Sequence, residues 1–271
     1  MLHPPEFVRP QRSHGAAAVD LATASGAARV ERLAQSGCAR AFLVAGAVPE
    51  VVFGNTAGGL TGGDALRYAL ALGPFAEAVA TTQTAERAYR AAAGEARVTV
   101  SLSAGDGARI AWLPQETILF DGAALSRRTR VAISGAGRAL LTETVVLGRA
   151  AMGETVRRLA FADRREVRLD GRLVWAEALR LGPDALARGA QPALLGSARA
   201  VATVALVGRG AEDAVGPVRQ AIGEEGVEAA ASGWDGRCVL RIVGQDALPV
   251  RRQVRRVLTA LGAALPRVWQ A

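Results

Sequence analysis

The run "NTAGGLTGGD", residues 55 to 64, sets four glycines and Asp64 within ten positions, directly after the apolar stretch "AFLVAGAVPEVVF". Glycine-rich backbone of this kind can close its amide N–H groups around phosphate oxygens. The rest of the chain argues against that use. All 33 Lys+Arg residues are arginine, so the lysine and following Ser or Thr that a P-loop needs are missing. "GGLTGGD" also lacks the G-x-G-x-x-G spacing of a dinucleotide loop, and Asp64 would repel an anion. Without lysine there is no Schiff-base chemistry. The glycines therefore read as tight turns and close strand packing that carry Asp64 to a fixed position, with a turn cap as the alternative role for that carboxylate.

Soft metal ligands and nucleophiles are just as sparse. The two histidines, His3 and His14, fall in an N-terminal arm, too few and too far from other ligands for a zinc site or a Ser-His-Asp triad. Cys38 and Cys238 are isolated and read as small buried hydrophobes. An acid/base pair of Asp64 and Glu154 has no supporting spacing, so no enzyme is expected.

Period-two alternation supplies the elements that position these residues. "RVTVSLS" sends Val98, Val100 and Leu102 to one face, and "RLVWAEALRL" does the same for Leu173, Trp175, Leu179 and Leu181, with Glu177 among them. Further β-rich runs are "ARAVATVALVG" and "RCVLRIVG". Phe120-Asp121-Gly122, Leu169-Asp170-Gly171 and Trp234-Asp235-Gly236 read as hairpin turns, and "AGDG" at 104 to 107 and "SGAG" at 134 to 137 as turns of the same kind. The expectation is an all-β architecture of many short strands: sandwich, barrel or β-solenoid. Two helices near the C-terminus break the pattern. "AEDAVGPVRQAIGEEG" reads as a short helix interrupted by Gly216-Pro217. "LPVRRQVRRVLTALGAAL" carries an apolar stripe of Val250, Val254, Val257, Leu258 and Leu261. Arg251, Arg252, Arg255 and Arg256 point away from it, as a solvated face or as a partner-binding patch.

Composition sets the remaining bounds. At 271 residues with half of them hydrophobic, the chain suits one domain, residues 1–271, of which 1–14 reads as a loosely ordered arm. No apolar run reaches the roughly 18 residues needed to span a bilayer. The start lacks a signal-peptide apolar region. A soluble, cytoplasmic protein is expected. A net charge of +8 points to acidic partners. A basic β-rich nucleic-acid-binding module is the alternative, weakened by an aromatic content of only 4%.

Read in order, "QRSHGAA", "GNTAGGLTGGD", "TTQTAERAYR", "WLPQETILFDGA", "LGRAAMGE" and "LPRVWQ" resemble the urease accessory protein UreD family, called UreH in some species, from about residue 10 to the C-terminus. The resemblance implies a β-helix-like fold with two helices near the C-terminus and no catalysis. It also implies binding to apo-urease, UreF and the GTPase UreG, and delivery of Ni²⁺ to the urease active site, with an internal tunnel as the metal's path. A conduit suits weak oxygen ligands better than imidazole or thiolate, which hold Ni²⁺ too tightly for transit. On that footing Asp64, Thr81, Thr82, Glu116, Glu143 and Glu154, all within the distinctive motifs, are candidates to line a transient nickel path. The opposing reading makes Thr81 and Thr82 ordinary strand residues and pairs Glu116 or Glu154 with arginines such as Arg149. No tightly bound cofactor is expected.

Overall fold

The computed structural model describes residues 12–24, 27–189, 191 and 195–270. The N-terminal arm expected over 1–14 thus lies outside the described residues up to position 11, and His14 opens the first strand. The first half of the chain forms β1 (His14–Ala24), β2 (Ala27–Gly37), β3 (Ala39–Val44), β4 (Glu50–Asn55), β5 (Ala65–Leu72), β6 (Glu77–Thr82), β7 (Glu86–Ala88), β8 (Ala96–Ala104) and β9 (Arg109–Trp112). The second half forms β10 (Thr117–Leu119), β11 (Ala123–Ile133), β12 (Arg138–Leu147), β13 (Leu159–Leu169), β14 (Arg172–Leu181), β15 (Ala200–Gly208), β16 (Val227–Trp234) and β17 (Arg237–Gly244). Among the described residues three α-helices accompany them: α1 (Pro183–Ala187), α2 (Val215–Gln220) and α3 (Ala247–Ala260).

Two sheets face each other. The first runs β14-β13-β11-β8-β5-β1-β2 and the second β16-β17-β15-β12-β9-β6-β4-β3, with β7 and β10 pairing off the second at β12. From β4 to β13 the chain crosses between the sheets repeatedly, and each new strand lies parallel to the one a coil earlier. This is the winding of a β-helix, closed at both ends by antiparallel pairs.

That winding corrects part of the turn reading. Leu169-Asp170-Gly171 and Trp234-Asp235-Gly236 do close hairpins, β13 to β14 and β16 to β17. Asp170 and Asp235 both take positive φ ahead of their glycines, as a type I′ turn requires. Phe120-Asp121-Gly122 is instead a corner between the sheets: Gly122 alone takes positive φ, and Asp121 accepts hydrogen bonds from the amides of Arg157 and Arg158 at 2.8 Å each. The turns at 104 to 107 and 134 to 137 are corners too, from β8 to β9 and from β11 to β12. Dipeptide chemistry marks a reversal of direction but does not say which sheet receives the next strand.

Gly216-Pro217 does not interrupt its helix either. Both residues lie in the first turn of α2, where proline's missing N–H removes no helical bond. In α3, Val250, Val254, Val257 and Leu258 are fully buried against the outer face of the second sheet, and Leu261 is half-buried. Asp246 caps this helix through the Leu248 amide. Gln253, also buried, accepts from the amides of Gly223 and Glu224 and donates to the Ala221 carbonyl, tying α3 to the end of α2. Trp269 donates to the Leu113 carbonyl at 2.9 Å and so fastens the C-terminal segment over the same sheet.

Candidate functional site

Between the sheets, the coils from β4 to β9 are packed with apolar side chains, including Phe53 stacked on Tyr68 with centroids 4.9 Å apart and beside Trp112 at 6.0 Å. The coils from β11 to β14 are filled differently. The inward parity of β11 carries Arg127 and Thr129 among Leu125 and Val131, and that of β13 carries Asp163 and Arg165 among Phe161 and Val167. In-register pairing places Arg127 beside Asp163, and Arg165 beside Glu177 of β14. The second sheet contributes Glu143 from β12, Thr117 from β10 and Arg241 from β17.

These side chains form one continuous line of charge. Arg127 grips Asp163 with both arms of its guanidinium, Nε to Oδ1 at 3.1 Å and Nη2 to Oδ2 at 3.0 Å. Its Nη1 donates to Thr117 Oγ1 at 2.8 Å and stands 2.8 Å from Glu143 Oε2, the latter an ion pair outside hydrogen-bonding geometry. Trp112 Nε1 donates to the other Glu143 oxygen at 3.3 Å. Arg165 Nε lies 3.3 Å from Asp163 and its Nη2 lies 3.6 Å from Glu177. Arg241 donates to Glu177 at 3.0 Å, and its side chain is 60% exposed. The line therefore begins in the fully buried centre and ends at the surface.

The charge states follow from these contacts. Burial works against the charge on Arg127, but Asp163 and Glu143 outweigh it and keep the guanidinium protonated more firmly than usual. Burial also pushes Asp163 upward, yet Arg127 and Arg165 more than offset it and hold the carboxyl below the ordinary range. For Glu143 burial wins, and its carboxyl is raised despite Arg127. Another carboxyl, that of the half-buried Glu86 on β7, is raised to about 7 by desolvation, although Asn55 Nδ2 and the Arg87 amide donate to it. Glu86 borders a small cleft of about 50 Å³ with Asn55, Tyr68 and Thr82, where the glycine motif meets "TTQTAER".

Of the six residues named as a nickel path, one lies in this line: Glu143. The others are scattered. Asp64 is buried, and both its oxygens are taken by backbone amides, Ser13 N to Oδ1 and Thr61 N to Oδ2, each at 2.8 Å. It is the clasp that holds the glycine loop against the start of β1. Gly63 there takes a φ of 92°, and a Cβ on Gly62 would stand 2.2 Å from the Ala93 carbonyl oxygen, so the loop needs both glycines. Thr81 shares its strand parity with Val79, which packs beneath α3, and its hydroxyl donates to the Leu113 carbonyl at 2.7 Å. Thr82 accepts from the Gln115 amide at 2.9 Å. Glu116 is half-buried before β10. Glu154 pairs with Arg149 at 2.8 Å, which with the Asp121 and Arg149 amides keeps its carboxyl below the usual range.

The four helix arginines also divide. Arg251 is half-buried, lies over the Trp269 ring and donates to the Val268 carbonyl. Arg252 and Arg256 stand 3.6 and 3.9 Å from Glu224, and Arg255 is exposed. Cys238 is buried and Cys38 half-buried, both as free thiols. Among the described residues no three His, Cys, Asp or Glu side chains gather as metal ligands, and no helix is long and apolar enough to cross a membrane.

Arg127, Asp163 and Arg165 were missed as site residues in the sequence, although a signal for them exists. In "SRRTRV" and "FADRREV" a charged residue occupies the same parity as the apolar ones, which places its charge inside. Only Glu177 was read in that way.

Residues 13–270 match the family model described as UreD urease accessory protein. The chain is 58% identical over 269 residues to the urease accessory protein UreD of Cereibacter sphaeroides (strain ATCC 17029 / ATH 2.4.9), covering 98% of each chain. It is 56% identical over 263 residues to that of C. sphaeroides (strain ATCC 17025 / ATH 2.4.3), covering 96% of each. It is 50% identical over 266 residues to that of Paracoccus denitrificans (strain Pd 1222), covering 97% of this chain and 94% of the other.

Proposed function

The chain belongs to the UreD family of urease accessory proteins, with a role in urease maturation, and we propose that it works there as a non-catalytic cytoplasmic scaffold. In this reading it holds apo-urease together with UreF and UreG while Ni²⁺, as cargo, passes to the urease active site through the interior. The observation that supports an interior path is the charged line from Glu143 through Arg127, Asp163 and Arg165 to Glu177 and the exposed Arg241. Burying paired ions is no more stabilising than an apolar filling of the same shape, so such a line calls for a reason other than stability. Carboxylate oxygens suit a hydrated Ni²⁺ that must be released again, and guanidinium partners compete with the ion and keep each contact brief.

Glu177 gives the cleanest test, because it stands near the surface end and Gln keeps its shape. The Glu177→Gln protein is expected to fold, to assemble with UreF and apo-urease, and to leave urease with several-fold less nickel per active site, measured by elemental analysis of the purified complex. Normal nickel content at equal assembly would refute the path while leaving the scaffold role standing. The nucleic-acid alternative draws on net charge alone.

A further inference from the structure

The outward face of the first sheet takes no part in the line just described. Its central strands run parallel and in register, so Ala16, Arg67, Thr99, Arg128 and Arg164 form one row across the sheet. The next row outward is Ala18, Ala69, Ser101, Arg130 and Glu166. Neighbouring strands lie about 4.8 Å apart, which puts Arg67 and Arg128 about 10 Å from each other with small residues between. A shallow trough of about 300 Å³ runs there, lined by Ala16, Arg67, Ala69, Thr99 and Ser101 among others.

Arg67, Arg128 and Arg130 are exposed, and none has a carboxylate at ion-pair distance among the described residues. Glu166 is the only acid in the two rows, and it is already engaged by Arg164. The outer face of the opposite sheet is apolar and lies under α3, whereas among the described residues no element covers these rows. A floor of alanine, serine and threonine lets another flat surface come close, and the upright guanidiniums at its border are forks for carboxylates.

We infer that this face is the docking surface for a folded protein partner that presents a flat patch rich in Asp and Glu. It rests on the urease-assembly reading for the partner's identity, and on register and charge alone for the face. Nucleic acid is the poorer fit: the two rows carry no aromatic side chain on which a base could stack.

The test compares Arg67→Glu/Arg128→Glu/Arg130→Glu with Arg109→Glu/Arg157→Glu/Arg188→Glu, which changes the charge equally at exposed arginines elsewhere. Each protein is first matched to wild type by circular dichroism and melting temperature, and Gln versions replace any set that unfolds. Capture of co-expressed cognate apo-urease and UreF is expected to fall about tenfold for the face variant and by less than about threefold for the control. Undiminished capture by the face variant, or equal loss by both, overturns the inference. If the wild-type chain captures neither protein, the urease reading fails, and poly-L-glutamate becomes the probe. Selective loss of its binding by the face variant then upholds the docking face, and no selective loss overturns it. Selective loss of binding to a short DNA duplex, with poly-L-glutamate binding unchanged, overturns the protein partner in favour of nucleic acid.

Discussion

The coils from β4 to β9 and those from β11 to β14 share one winding but are filled in opposite ways. The first encloses Phe53, Tyr68, Leu70 and Trp112 in apolar contact, and the second encloses Arg127, Glu143, Asp163 and Arg165. Apolar packing is non-directional, so each side chain there depends on filled volume rather than on any one partner. The charged coils depend on every partner being present, because a lone buried ion cannot recover the hydration it lost. A solenoid tolerates both fillings because its backbone bonds run between coils and not through the interior.

Removing Asp163 attacks the contrast hardest, since it takes a partner from two buried guanidiniums at once and leaves Arg127 with Glu143 and Thr117, and Arg165 with Glu177. Asp163→Ala is expected to lose about 3–5 kcal/mol in urea unfolding. The double change Arg127→Met/Asp163→Leu should recover part of that loss, because it replaces one ion pair by apolar volume while Glu143 keeps Trp112 and Arg165 keeps Glu177. If the double variant is as unstable as the single one, the charged coils are not an optional filling of the same frame. In the apolar coils, Leu70→Ala is expected to cost about 3 kcal/mol, by lost transfer energy and cavity formation together. That cost should be the same at low and high salt, whereas the Asp163 effect should shift with pH as its carboxyl titrates.

The smallest effect concerns Glu86, which touches Asn55 on the apolar side and senses Arg127 on the charged side. Its folded pKa of about 7 lies above the unfolded value near 4.5, so the folded state takes up a proton between the two. Stability from this group is therefore greatest at the acid end of that window and declines as pH rises through about 7. The melting temperature of wild type should fall modestly from about pH 6 to about pH 8, and Glu86→Gln should flatten that slope. An unchanged slope in the variant would place the titration elsewhere. Asp163 works in the opposite sense: its lowered carboxyl stabilises the fold above the ordinary carboxylate range and loses that contribution only as pH falls through its depressed value.

Strand alternation in "RVTVSLS", the C-terminal helix stripe and the Asp-Gly hairpins at 170–171 and 235–236 were legible because each is a local periodicity or a local backbone preference. The corner at 121–122 was not, because an amide partner at 157 and 158 holds Asp121 and no neighbour in sequence reports it. Asp64 was legible as a fixed carboxylate, and the contacts that fix it, Ser13 and Thr61, show it as a clasp.

What the chain's own residues determined was composition-level chemistry and local form: no lysine, no clustered imidazole or thiolate, strands with one apolar face, and an arginine-bearing helix. Tertiary structure alone decided which carboxylates meet. Glu143 and Asp163 lie twenty positions apart and on different sheets, yet both converge on Arg127, because the winding lays β11 beside β13 in the first sheet and across the interior from β12 in the second. Pairing between coils depends on register over long sequence separations, and no periodicity within a single strand encodes it.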